Sequence, residues 1–363
     1  MSIEQQDVQQ AVQAVVDPAT GQGLLELAQL KNVQVTGADV SFDFELGYPA
    51  QSQHAALRQA LVAAVRALPG VGNVSVHIAT RVGAHAAQRG LPLLPQVKNI
   101  VAVASGKGGV GKSTTTANLA LALAAEGARV GVLDADIYGP SQPIMLGIRG
   151  RPESRDGKSM EPMNGHGLQV ISIGFLVDQD QAMVWRGPMA TQALDQLLRQ
   201  THWHDLDYLM VDMPPGTGDI QLSLSQRVPL AGAVIVTTPQ DIALADARKA
   251  VTMFEKVGVP ILGLVENMAV HVCSHCGHAE HIFGADGGKR YAAEKGLDYL
   301  GALPLALSIR EQADSGTPTV MAEPEGDVAA IYKQMARQMA VELARRTRDA
   351  TGKLPTITLS RDT

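Results

Sequence analysis

Gly106-Lys107-Gly108-Gly109-Val110-Gly111-Lys112-Ser113-Thr114 decides the fold of this chain. Two glycines four residues apart, followed by lysine and serine, form a phosphate-binding loop pattern. Glycines let successive backbone N–H groups turn inward and make an anion-binding nest. Lys112 can then reach the β- and γ-phosphates of a nucleotide, and the Ser113 hydroxyl can ligate Mg²⁺. The flanks suit the loop. Asn99–Ser105 reads as a short buried strand, and Ser113–Glu126 as a helix, apolar at Leu119, Leu123 and nearby alanines. That order puts phosphates on a helix N-terminus. The plain alternative is a glycine-rich turn carrying two solvated lysines.

Downstream of Asn99, apolar segments at 99–105, 129–134, 169–173, 207–212, 232–238, 260–265 and 298–302 alternate with helical patterns. Several are unbroken apolar runs, as expected for strands covered on both faces. The fold class expected is α/β, a doubly wound, mostly parallel sheet. Its ligands bind at the carboxyl ends of the strands. Two of these strands end in carboxylates. Tyr208-Leu209-Met210-Val211 runs into Asp212, where a P-loop enzyme places its Mg²⁺-associated acid. The turn Met213-Pro214-Pro215-Gly216-Thr217-Gly218-Asp219 follows it. Leu133-Asp134-Ala135-Asp136 brings Asp136 to a loop mouth, as a group to orient water beside the γ-phosphate. Helix capping is the other use for Asp134 or Asp136. The sequence holds no Asn-Lys-x-Asp guanine-reading motif, which favours ATP over GTP.

Residues 1–80 read as a small N-terminal α+β domain in the order α-β-β-α-β. Val8, Val12 and Val15 share one helical face, and Val40, Phe42, Phe44 and Leu46 alternate as in a half-buried strand. Leu57, Leu61, Val65 and Leu68 make a second helical stripe before Val74, Val76 and Ile78. Residues 81–97 read as a linker around Gly90, Pro92 and Pro95, residues 98–350 as the ATPase domain, and 351–363 as a flexible tail. The last helix, about 326–347, presents Ile331, Met335, Met339 and Leu343, with Lys333, Arg337, Arg345 and Arg346 elsewhere. Packing against the domain is its expected role; a membrane-surface anchor is the alternative.

In 363 residues the formal net charge is -6 and aromatics are 4%. Neither acidity nor scarce stacking rings suits nucleic acid as a partner. The polar N-terminus lacks a signal pattern, and no apolar run is long enough to span a bilayer. A cytoplasmic protein without stable membrane association is expected. There are two cysteines, Cys273 and Cys276, in one Cys-Ser-His-Cys segment. The segment reads as part of a loop, His271–Phe283, also holding His275, His278 and His281. Two thiolates three positions apart can grip a soft metal or one edge of an iron–sulfur cluster. They are half of the usual four ligands. A two-fold dimer would supply the rest. A zinc site with two of the histidines, a dithiol redox pair and idle thiols are the other readings.

Together these residues resemble the bacterial Mrp/ApbC iron–sulfur cluster carriers, of the MinD/ParA-like class of P-loop ATPases with a deviant Walker A loop. The resemblance spans essentially the whole chain. It rests on the small N-terminal domain, the loop at 106–114, LDADIYGPS at 133–141, WRGPM at 185–189, VDMPPGTGD at 211–219, ENM at 266–268 and CSHCGH at 273–278. It implies slow ATP hydrolysis coupled to cluster loading or transfer. It implies that Lys107 crosses a dimer interface to the partner's nucleotide, that Asp136 orients the hydrolytic water and that Asn267 reads adenine. It implies that Cys273 and Cys276 of two subunits share a [4Fe–4S] cluster and pass it to apoproteins, with cluster scaffold proteins as further partners. Small domains of this type sometimes carry a cysteine after a proline, whereas Pro49 is followed here by Ala50. Client or scaffold docking is the role left to it. A MinD/ParA-type positioning ATPase and a zinc-bridged targeting ATPase are the competing functions.

Overall fold

The structure, a computed structural model, describes residues 3–17, 21, 23–85, 91, 93–177 and 187–351, with side chains omitted at 187–188 and 347–351. Trp185 and Arg186 of the Trp-Arg-Gly-Pro-Met motif, residues 86–90 and 92 of the expected linker, and the tail beyond Thr351 lie outside the described residues.

The N-terminal elements are α1 (Gln5–Gln13), β1 (Ala28–Thr36), β2 (Asp39–Leu46), α2 (His54–Arg66) and β3 (Val74–Thr80). This is the α-β-β-α-β order expected from hydrophobic periodicity. Strand β2 pairs antiparallel with β1 and parallel with β3. Val40, Phe42, Phe44 and Leu46 face inward, each at most 3% exposed, because successive strand side chains alternate faces. Val8 and Val12 of α1 and Leu57, Leu61 and Val65 of α2 close the other side of this core. Val15 falls beyond the end of α1 and is only partly buried.

The larger unit runs β4 (Val97–Ala104), α3 (Lys112–Ala125), β5 (Val130–Asp134), α4 (Gln142–Met145), β6 (Met163–Gly165), β7 (Leu168–Ser172), α5 (Gly187–Arg199), β8 (Leu206–Asp212), α6 (Asp219–Arg227), β9 (Gly232–Thr237), α7 (Asp241–Lys256), β10 (Ile261–Val272), β11 (Ala279–Glu280), α8 (Gly287–Lys295), β12 (Tyr299–Pro304), α9 (Leu307–Asp314), α10 (Thr319–Ala322) and α11 (Asp327–Thr351). Nine strands form one sheet in the order β11-β10-β9-β4-β8-β5-β7-β6, with β12 also pairing β10. The pairings are parallel except for β6 on β7 and β11 on β10. Strand β4 already begins at Val97, which the sequence reading left in the linker. The long β10 extends well past the expected 260–265.

All residues of β8 and β9 are buried, so both faces of the sheet centre are covered. Helix α3 is enclosed nearly all round, with Ala117 and Leu119–Leu123 at most 1% exposed. Such a helix is held by packing rather than by one apolar stripe. Each fully buried leucine contributes about 2 kcal/mol of transfer free energy. Helix α11 lies along α3 and β12, with Met335, Met339 and Leu343 buried. That is the packing role expected of it. No described helix is long and apolar enough to cross a membrane.

The small unit is tied to the C-terminal end of α3. Glu126, fully buried, caps that end and accepts from Ser52 N (3.0 Å), Ser52 Oγ (2.7 Å) and the Arg337 guanidinium of α11. Its backbone carbonyl accepts from Gln51 N at 3.2 Å.

Candidate nucleotide site and thiol hairpin

The loop 106–111 leaves β4 between β8 and β9, so it opens at the carboxyl edge in the centre of the sheet. Gly109 and Gly111 hold φ of 79° and 80°, left-handed values that favour glycine. Contacts around the loop are close. A Cβ on Gly106 would come within 2.1 Å of the Asp246 backbone in α7. One on Gly111 would come within 2.1 Å of Asn267 Nδ2. Ser105 Oγ donates to Lys107 O at 2.8 Å, and Gly216 N donates to Ser105 O at 3.1 Å. The turn after Asp212 is thereby bound to the strand that feeds the loop. Gly108 is exposed and Val110 buried, while Lys107, Ser113 and Thr114 are half-buried.

Lys112 begins α3, and its ammonium is buried. It donates to Asp212 Oδ1 at 2.5 Å and to Ser113 Oγ at 3.2 Å. Asp212, fully buried at the end of β8, also accepts from Thr116 Oγ1 (3.2 Å) and Gln142 Nε2 (2.9 Å). Asp212 is thus brought to the loop, as its place at a strand end suggested. The Ser113 hydroxyl and the Asp212 carboxylate meet through one lysine. They are hard oxygen donors of the kind Mg²⁺ takes.

Strand β5 delivers two further carboxylates. Asp134 is buried and accepts from Ser141 N (3.0 Å), Gln142 N (3.1 Å), Ser172 Oγ (3.0 Å) and Asp136 N (3.2 Å). Burial and the charge of Asp212 nevertheless push its carboxyl up. It organises the loop, close to the capping use considered for it. Asp136 is half-buried and accepts from Gly139 N at 3.3 Å. Burial raises its carboxyl too, opposed by the Lys112 ammonium and reinforced by Asp212.

Asn267 lies beneath the loop rather than away from it. Its Nδ2 donates to Val110 O at 2.9 Å, and Met268 beside it holds φ of 57°. This bend in β10 turns the amide under Gly111.

The cysteines do not sit in a plain loop, as His271–Phe283 was read. They cap a hairpin: β10 ends at Val272, β11 returns at Ala279, and His271 pairs with Glu280. Cys273 N donates to His278 O and Gly277 N to Cys273 O, both at 2.9 Å. The short return strand escaped notice because two residues carry no periodicity. Cys276 is exposed and Cys273 partly so. Hydrogen bonds from the His275 and Cys276 backbone, then from the Cys276 side chain, lower the Cys273 thiol below its ordinary value. His271 Nδ1 lies 3.0 Å from Leu305 O, and His281 Nδ1 lies 2.7 Å from Ala269 O. Among the described residues, no three His, Cys, Asp or Glu side chains gather to hold a metal ion.

Residues 96–340 match the family described as NUBPL iron-transfer P-loop NTPases, and residues 5–76 match that of iron-sulfur cluster assembly proteins. An iron-sulfur cluster carrier protein of Pseudomonas fragi is 62% identical over 275 residues, 75% of this chain and 96% of that protein. Another from Haemophilus influenzae is 48% identical over 341 residues, 94% of this chain and 92% of the relative. A nucleotide-binding protein from Archaeoglobus fulgidus, solved with ADP, is 37% identical with a TM-score of 0.56, covering 64% of this chain and 90% of that one. With its glycine loop at the centre of a mostly parallel sheet and the carboxylates of β5 and β8 beside it, the chain belongs to the iron–sulfur cluster carrier family of P-loop NTPases.

Proposed function

We propose that this protein binds and slowly hydrolyses ATP, and that two copies carry one iron–sulfur cluster between them for delivery to apoproteins. The observation that carries the reading is β10. It presses Asn267 against the phosphate-binding loop and ends at Val272, one residue before Cys273, so one strand leads from nucleotide to thiols. Six residues of strand span at most about 20 Å. A change at the loop therefore has a short, continuous path to the cluster.

In this reading Gly106 to Thr114 cradle the phosphates, and Lys112 moves from Asp212 onto them. Ser113 and Asp212 hold Mg²⁺, which neutralises phosphate charge during transfer. Asp136 accepts a hydrogen from the attacking water. Lys107 reaches the nucleotide of the second copy, acting as arginine fingers do in trans. The Asn267 amide oxygen contacts adenine. Each chain offers two thiolates, so two chains offer the four that a [4Fe–4S] cluster takes. The protein would work in a reducing compartment such as the cytoplasm, where both thiols stay available.

Anaerobic reconstitution tests the reading. About two irons per monomer, with matching sulfide, are expected from a four-thiolate site shared by two chains. Cys273→Ala and Cys276→Ala should each abolish cluster binding while ATP binding persists. The loaded wild type should activate an apo-acceptor. Stoichiometric zinc without a reconstitutable chromophore would sink the carrier reading and favour a zinc-bridged dimer.

A further inference from the structure

Gln142 opens α4, directly after the loop that holds Asp134 and Asp136, and is fully buried. Both hydrogens of its side-chain amide are committed at the nucleotide site. Nε2 donates to Ser113 O at 3.0 Å and to Asp212 Oδ2 at 2.9 Å. Its backbone N–H donates to Asp134 Oδ2 at 3.1 Å. One residue thus joins the start of α3 and the ends of β5 and β8. These are the three elements that deliver Ser113, Asp134 and Asp212.

The amide oxygen behaves differently. Gln142 Oε1 is buried and has no hydrogen-bond partner among the described residues, and neither has Ser141 Oγ next to it. Buried polar atoms are nearly always satisfied, so each orphan calls for a reason. The donor end of this amide fixes a carboxylate, and its acceptor end stays open.

We infer that Gln142 is a positioning residue for the magnesium–nucleotide complex. The inference rests on the MgATP reading proposed above. When Lys112 leaves Asp212 for the phosphates, the carboxylate loses the one ion-pair partner it has among the described residues. Gln142 Nε2 then keeps Asp212 Oδ2 in place, so that Asp212 stays aimed beside Ser113. Oε1, buried and unpaired among the described residues, would be an acceptor for a water that enters with the metal. Gln142 therefore favours the magnesium-bound nucleotide over the metal-free one.

The test is nucleotide affinity, measured by titrating a non-hydrolysable ATP analogue into full-length protein with Mg²⁺ and with EDTA. Gln142→Met keeps size and removes both amide functions. It should weaken binding about tenfold in Mg²⁺, the scale of a lost hydrogen bond to a charged group, and leave affinity in EDTA unchanged. Should that variant fail to fold, Gln142→Asn, which withdraws the amide by one methylene, carries the same comparison and should show the same selective loss. Equal losses with and without Mg²⁺ would reduce Gln142 to a structural role and overturn the inference. So would an Mg²⁺ dependence equal to that of wild type. A wild-type protein that binds the analogue no better than Lys112→Ala would overturn the nucleotide reading itself, a separate result.

Discussion

Lys112 Nζ lies 2.5 Å from Asp212 Oδ1, with both side chains almost wholly out of water. The lysine of the phosphate loop is thus already paired, and it must exchange one anion for another to serve a nucleotide. That exchange keeps a buried charge compensated throughout. Replacing one partner of a buried pair leaves the other stranded, at a cost of about 3–5 kcal/mol. Lys112→Met should therefore lower stability by about 3 kcal/mol as well as abolish ATP binding. Adding Asp212→Asn should restore part of the stability and none of the binding. Denaturant unfolding with a parallel ATP titration checks both. A single variant as stable as wild type would show that the ion pair does not hold the apo fold.

Asp136→Asn should bind MgATP nearly as well as wild type and hydrolyse it far more slowly. Loss confined to turnover marks an interaction made in the transition state. Losses shared equally between affinity and turnover would instead point to a metal-side role.

Gly111→Ala should fail for a geometric reason. The residue sits at φ of 80°, and its Cβ would come within 2.1 Å of Asn267 Nδ2. The left-handed backbone alone costs about 1–2 kcal/mol for an L-residue. Displacing Asn267 also breaks its bond to Val110 O. Reduced thermal stability together with lost nucleotide binding is expected. Normal binding would mean that Asn267 can move aside freely.

Arg337→Ala should loosen the small N-terminal unit. It strands the buried Glu126 carboxylate, which also receives Ser52, and should cost about 3 kcal/mol. Protease cleavage within residues 81–97 should quicken relative to wild type. Unchanged cleavage and stability would show that other contacts hold the two units together.

Asp207 supplies a pH-dependent prediction. Burial opposes its ionisation, but hydrogen bonds from Arg129 and Lys98 outweigh that and hold its carboxyl below the ordinary value. A depressed folded value adds stability above the unfolded pKa of about 3.9, and that stability is lost as pH falls through the folded value. Asp207→Asn should therefore be less stable than wild type by about 2 kcal/mol at neutral pH. The gap should narrow steadily below about pH 4. A gap independent of pH would remove the ionic explanation.

The phosphate loop, the strand-end carboxylates Asp134, Asp136 and Asp212, and the alternation of the larger unit were legible from the sequence by itself. Each is written locally: glycine spacing, an apolar run ending in an acid, a helix opening on Lys112. The thiol pair was legible as a half-complete ligand set for the same reason. Tertiary structure alone decided what those local signals touch. Gln142 meets Asp212 across 70 positions, Glu126 meets Arg337 across 211, and Asn267 meets Val110 across 157. Such pairings depend on which strands become neighbours and on where helices pack, and a period of 2 or 3.6 residues carries no record of either. The two-residue strand after the cysteines was hidden likewise, because it exists only through its pairing with β10.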